Sequence, residues 1–384
     1  MRLTALVPAA VILLVSVFPA GCGTGSCRAP EVTGDHSEAG QNIVSCPGGG
    51  LRGKLETFRY AGLVDPFIGT GGHGHTYPGA SSPFGMVQLS PDTRLTGWDG
   101  CSAYHYSDNH IYGFSHTHLS GTGCSDYGDI LVMPVTADPF AGDASSELGE
   151  CGASFDHSSE HASPGYYSVL LNSPMRDSSL LDNSLDSSSR GIVAELTVTE
   201  RCGFHRYSFD SVDEVGIFID LDHRDRVLDS SLRISGRNEV EGFRRSEAWA
   251  ADQHVYFVAR FSRPITGSVI SGNRLIGNDD TGENGIEGAK GWFGFEAAED
   301  GTLLVKVGIS AVSMEGARKN LEAEIPGWDF DKIAVEAAGK WDDSLGRIKI
   351  SGGTAGERTT FYTALYHSML APNLFSDVDG RYRG

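Results

Sequence analysis

VDPFIGTGGHGHTYPGASSPFGMVQLSPDTRLTGWDGCSAYHYSDNHIYGFSHTHLSGTGCSDYGDI, residues 64–130, is the stretch on which the reading of this chain turns. It is crowded with Gly, His, Tyr and Trp and holds no long apolar run, so it reads as tightly turned loops that display side chains. Loops of this kind commonly carry function on a rigid scaffold. Gly69-Thr70-Gly71-Gly72-His73-Gly74 matches the spacing of a dinucleotide fingerprint. That fingerprint works only when a helix follows and aims its first amides at the pyrophosphate. Tyr77-Pro78-Gly79 and Ser82-Pro83 follow instead, so a nucleotide cofactor is not expected here.

Outward from this stretch, composition narrows the classes. With 384 residues the chain is long enough for two or three domains and a sizeable core. Fifty acidic against 30 basic residues give a formal charge of -20 without a basic cluster, which argues against nucleic acid as a partner. At the N-terminus, Arg2 precedes a mostly apolar run over 5–17 and the small residues Ala20 and Gly21, the pattern of an export signal too short to span a membrane. Phe18-Pro19-Ala20-Gly21-Cys22 also looks like a bacterial lipobox, with Pro19 where Leu is usual; Cys22 is then the candidate lipidation site, and plain secretion is the alternative. Membrane association is expected only through that anchor. Export makes the remaining six cysteines candidates for disulfides, with fifteen possible pairings. Cys27 is expected to pair with Cys46 inside the leader region, and free buried thiols suit Cys101 and Cys124 equally well.

Residues 23–57 are rich in Gly, Ser, Glu and Pro and read as a tether. Over about 131–311 the pattern is β-rich, most clearly at Val255, Phe257, Ala259 and Phe261 and at Leu303, Val305, Val307 and Ile309. The second run, following Trp292-Phe293-Gly294-Phe295 and a Glu299-Asp300-Gly301 turn, suggests a hairpin. Many short strands with Gly-rich turns point to a β-sandwich. Residues 176–190 read as a polar surface loop without chemistry. After Ser313 the period becomes helical: Met314, Ala317, Leu321 and Ile325 form one apolar stripe, and Phe330, Ile333, Ala334, Ala337, Ala338, Trp341 and Leu345 another. A strand-like 347–351 precedes a third stripe, Phe361, Ala364, Leu365, Ser368 and Met369, with Thr359 or Thr360 as its cap.

Six of the 13 histidines fall between His73 and His118, including the His-x-His pairs His73/His75 and His116/His118. Two residues apart on extended chain, such a pair could share a zinc or copper ion, although a polar or sugar-contacting role suits them better here. Trp98, in Thr96-Gly97-Trp98-Asp99-Gly100, sits on a turn that would push its ring outward beside a carboxylate, as sugar recognition requires; a core Trp capping the sandwich is the plainer alternative. Asp377-Val378-Asp379-Gly380 begins like a calcium loop but lacks the later ligands. Serine-hydrolase elbows and Walker loops are absent from the sequence.

Taken together, Val64-Asp65-Pro66-Phe67-Ile68-Gly69-Thr70, Tyr77-Pro78-Gly79-Ala80, Pro83-Phe84-Gly85-Met86-Val87-Gln88, Gly97-Trp98-Asp99-Gly100-Cys101 and the run from Gly113 to Cys124 resemble glycoside hydrolase family 92, and so does the tail from Phe361 to Gly384. The resemblance implies an N-terminal β-sandwich, a helical linker and an (α/α)6 barrel, with 1–21 as signal, 22–57 as tether, 58–311 as sandwich, 312–350 as linker and 351–384 as the first helix of the barrel. It implies an exo-acting α-mannosidase that removes terminal mannose from N-glycans or other mannosides by an inverting, calcium-assisted mechanism. The acid and base carboxylates and most of the calcium ligands are expected beyond Gly384, so this chain alone is expected to be inactive. What carries over is one wall of a mannose pocket: Trp98, an acidic residue of the Asp377/Asp379 pair as hydroxyl acceptor, and more weakly His116 and His118, with none of these taken as metal ligands. The alternative is a surface lipoprotein that only binds glycans.

Overall fold

Strand Gln253–Phe261 shows how the layers arise. Its alternate residues Val255, Phe257, Ala259 and Phe261 enter one apolar core, while Val258 on the other face enters a second. A strand with both faces covered implies three layers, because successive side chains point to opposite sides. The computed structural model, which describes residues 49–136, 151–172, 191–210, 215–272, 274–276 and 285–384, has this arrangement. The expected signal, Cys22, the Cys27 and Cys46 pair, and the loop at 176–190 lie outside the described residues.

Two antiparallel sheets face one another. The first has seven strands, in the order Ala80–Ser81, Gln88–Asp92, Gly113–Ser115, Leu131–Val135, Val215–Asp220, Lys290–Phe295, Gly267–Ser271. The second has eight: Arg226–Gly236, Glu239–Glu247, Gln253–Phe261, Thr302–Ser310, Cys202–Phe209, Gly191–Val198, Tyr166–Asn172, His161–Ser163. Between them lies the larger core, where residues such as Phe114, Ile217, Phe257, Phe293 and Val305 are buried. Each such side chain contributes about 1.5–3 kcal/mol of burial. The expected sandwich is therefore present, with two differences. Its first three strands lie before residue 131, inside the stretch read as loops. The run ending at Phe295 and the run beginning at Thr302 are not a hairpin, since the first pairs with Val215–Asp220 and the second with Cys202–Phe209 in the opposite sheet. The turn at Gly301 carries the chain across the core.

Helices cover the back of the eight-stranded sheet. Helix α1 (Gly49–Leu55) lies inside the region read as tether, and its Leu51 and Leu55 are buried, so the folded body starts earlier than expected. Helix α2 (Met314–Glu324) is capped by Ser313, whose hydroxyl accepts from the Gly316 amide, and α3 (Phe330–Leu345) by Asp329. All seven residues of the second predicted stripe are the buried face of α3. Beneath α2 and α3, Ala317, Leu321, Ile325, Phe330, Ile333, Ala334 and Ala338 meet Tyr166, Cys202, Phe204 and Val258 of the sheet. Lys306, aimed out of the sheet, donates from Nζ to the carbonyl of Ile325 at 2.7 Å, placing a cation at the C-terminal end of α2. Burial lowers its ammonium to about 8.

Helix α4 (Ala355–His367) departs from expectation. A capping box at Thr354 and Glu357 opens it, and its buried face is Tyr362, Thr363 and Tyr366, while Ala364 is exposed. Residues 347–351 form no strand. Tyr362 and Tyr366 join Trp341 of α3 with Tyr77 and Tyr104 in a third, aromatic core, and Trp341 Nε1 donates to the Ser81 carbonyl at 2.5 Å. Through it the helices grip the loops of 64–130. Among the described residues no helix is long and apolar enough to cross a membrane.

Candidate functional site

The loops of 64–130 divide into a rim that faces solvent and a polar interior. On the rim, Gly97 at φ +81° turns the chain into the short 3-10 segment Trp98–Gly100. Arg224 holds that segment: one guanidinium nitrogen donates to the carbonyls of Gly100 at 2.7 Å and Cys101 at 2.8 Å and to Ser125 Oγ at 2.8 Å. Trp98 is thereby presented with 60% of its surface exposed. The loop of Gly123 passes so close that a Cβ there would stand 2.4 Å from the indole, so glycine sets how the ring lies. His75 meets Trp98 edge-on, with centroids 4.9 Å apart. His73 Nδ1 donates to Asp99 Oδ1 at 2.6 Å, and this hydrogen bond holds the Asp99 carboxyl below its ordinary range. An exposed indole beside a carboxylate and an imidazole is the chemistry of a sugar contact.

His116 and His118 are in the interior. His116 is fully buried; its Nδ1 donates to the Ile130 carbonyl at 2.7 Å and its Nε2 faces His205 Nε2 at 3.1 Å, while His205 Nδ1 faces the Tyr207 hydroxyl at 2.8 Å. Burial lowers His116 to about 4 and His205 well below its ordinary value, so both are neutral at pH 7. The proton positions then follow. With Nδ1 donating, His116 Nε2 accepts from His205 Nε2–H, and His205 Nδ1 accepts from the Tyr207 hydroxyl. His118 faces the Gln88 carbonyl at 2.8 Å through Nδ1 and Asp92 Oδ1 at 2.6 Å through Nε2. His223 reaches the other oxygen of Asp92 at 2.5 Å. Burial alone would raise the Asp92 carboxyl, but His118 and His223 outweigh it and hold the group below the ordinary range. Neither His116 nor His118 has surface to offer a sugar in this arrangement, in contrast to the cleft position expected for them.

Asp377 is also buried: Ser310 Oγ donates to one oxygen at 2.8 Å and Asn320 Nδ2 to the other at 2.9 Å. Asp379, on the same turn, faces Arg381 Nε at 2.9 Å and Lys319 Nζ at 3.4 Å. The pair pins the segment after α4 to α2. Calcium is bound by several free oxygen ligands. With the Asp377 oxygens taken and Asp379 facing two cations, these residues do not fit that ion. Among the described residues, His73, His75 and Asp99 alone form a cluster with metal-ligand spacing. The four described cysteines, Cys101, Cys124, Cys151 and Cys202, are free thiols.

Two facing antiparallel sheets backed by helices thus carry an exposed Trp and an acid on their loops. Residues 63–310 match the glycosyl hydrolase family 92 N-terminal domain and residues 316–384 the catalytic domain of the same family. The chain belongs to glycosyl hydrolase family 92. It is similar to a family 92 α-mannosidase of Bacteroides thetaiotaomicron solved in complex with mannoimidazole, at 32% identity and a TM-score of 0.71 over 85% of this chain and 42% of that one. A family 92 inverting mannosidase of the same organism is 26% identical, with a TM-score of 0.67 over 85% of this chain and 42% of its own. A protein of Arthroderma benhamiae described as an uncharacterized secreted glycosidase is 28% identical over 350 residues, 80% of this chain and 41% of that protein. The chain thus spans about two fifths of the length of these relatives.

Neither Arg224 nor the Asp92/His223 pair is among the residues singled out from sequence. Arg224 sits in the charged run Asp222-His223-Arg224-Asp225 directly after a buried strand, which is the signal that could have found it.

Proposed function

We propose that this chain is the N-terminal part of an exported α-mannosidase that removes terminal mannose from N-glycans and related mannosides with inversion, and that Trp98 forms one wall of its sugar site. The observation that carries this reading is the indole held open by Arg224 beside Asp99. The mannosidase relatives, one of them solved with mannoimidazole, support the choice of sugar. The secreted relative supports export, with Cys22 as the proposed lipid anchor. The match of residues 316–384 to the catalytic-domain model runs against a module that only binds glycans. Inversion needs an acid at the leaving oxygen and a more distant carboxylate that activates water. No residue of this chain is assigned to either role, and calcium assistance is part of the proposal without ligands assigned here.

The test is binding and turnover by the isolated chain. It is expected to bind methyl α-mannoside weakly and to leave mannobiose intact, with Trp98→Ala reducing affinity up to about tenfold, the value of roughly 1.4 kcal/mol for one lost stacking contact. Equal affinity in the variant would remove Trp98 from the site. Clear turnover of mannobiose would place the acid and base among these residues.

A further inference from the structure

We propose that His73, His75 and Asp99 form a binding site for one divalent transition-metal ion of the zinc class, which ties the loop of His73 to the turn that carries Trp98. One ligand atom from each of the three residues lies within 4.8 Å of the other two. His73 Nδ1 is 2.6 Å and His75 Nε2 3.7 Å from the same oxygen of Asp99. Zinc bonded to imidazole and carboxylate at about 2.0–2.2 Å sets its ligand atoms roughly 3.3–3.6 Å apart in tetrahedral geometry. His75 and Asp99 already stand near that spacing. Only His73 has to swing outward, and its side chain is 76% exposed.

The second observation is His75 itself. Its side chain is only 5% exposed, yet Nε2 has no hydrogen-bond partner and points toward Asp99. A buried ring nitrogen without a partner pays its desolvation uncompensated, and bonding to a metal ion removes that cost. The residue also holds φ +54°, an uncommon conformation for a side chain of this size. Two imidazoles and one carboxylate are a zinc-type donor set that leaves an open fourth position, whereas calcium takes oxygen ligands. Because Asp99 adjoins Trp98 and His75 touches its ring, occupancy fixes the indole on the rim. The site stands whether or not the chain comes from a mannosidase.

The experiment uses the chain freed of metal with a chelator, titrated with Zn2+, Co2+ and Ca2+ separately and followed by metal analysis, the visible spectrum of Co2+ and tryptophan fluorescence. Uptake of one equivalent of Zn2+ and of Co2+, with Co2+ quenching fluorescence and Ca2+ taken up at no comparable level, is expected. His73→Ala should weaken Co2+ binding at least about 100-fold, since even residues that only support metal ligands are worth 10–100-fold. Trp98→Phe should keep the binding and lose most of the quenching. His73 is exposed, so His73→Ala is expected to keep the urea midpoint, which separates a lost ligand from a lost fold. Absence of stoichiometric uptake, or unchanged affinity in His73→Ala, would overturn the proposal. Quenching that persists in Trp98→Phe would show that the ion sits elsewhere.

Discussion

His73-Gly-His75 and His116-Thr-His118 have the same spacing and opposite surroundings. The first pair stands on a rim with one ring open to solvent and one buried ring left without a partner. The second is sealed between two sheets, with every ring nitrogen facing a hydrogen-bonding group. Spacing alone therefore says little about what a His-x-His pair does. The interior pair is engaged in holding the sandwich, and the rim pair keeps coordination to spare.

The sharpest way to break this contrast is to remove the central acid of each site. Asp92→Ala leaves the Nε2 atoms of His118 and His223 in the interior without the carboxylate they share. Loss of one partner from such a buried charged cluster costs about 3–5 kcal/mol, and the urea midpoint should fall accordingly. A loss below about 1 kcal/mol would mean that the interior is as tolerant as the rim. Acidification is next in size. His116 is held at about 4 against an ordinary 6.5, so the unfolded chain takes up its proton first as pH falls. The stabilisation is complete above about pH 6.5 and is lost toward pH 4, by about 3 kcal/mol at the rate of 1.36 kcal/mol for each pH unit between the two values. Urea midpoints recorded from pH 7 to 4 should drop across that window; a flat profile would contradict the neutral assignment. The smallest effect belongs to Asp99→Ala on the rim. In metal-free buffer it removes a solvent-screened contact with His73 and should leave the urea midpoint within error of the parent chain.

The same contrast sets what could be read in advance. Residues whose role is apolar burial at a regular period were legible: the α3 stripe and the alternation of Val255 to Phe261 both describe buried faces. The Thr354-x-x-Glu357 capping box is present in the sequence, yet the apolar period points to Thr359 or Thr360 as the cap, because the buried Tyr362 and Tyr366 are less apolar than Phe361 and Leu365. Pairing between distant segments was not legible. A turn at Gly301 looks the same locally whether the next strand folds back or crosses to the other sheet. Asp92, His223 and Arg224 are far apart from their partners in sequence, and no local pattern reports such a meeting. For the rim, Trp98 and Asp99 were legible as an outward turn, whereas the partnerless nitrogen of His75 required coordinates.

The run from Tyr207 through His205 and His116 to the Ile130 carbonyl has one further effect. It starts on a strand of the eight-stranded sheet and ends beside the seven-stranded one, and Gly203 leaves the gap that His116 fills, since a Cβ there would stand 2.8 Å from the imidazole. Apolar contacts between facing sheets are non-directional and tolerate a small slide of one layer over the other. Hydrogen bonds with a single allowed sense do not tolerate it, because a slide stretches and bends them out of the range in which they hold. Three rings and one carbonyl thus act as a dowel through the sandwich, fixing the alignment of two layers that greasy surfaces alone would leave free to slip.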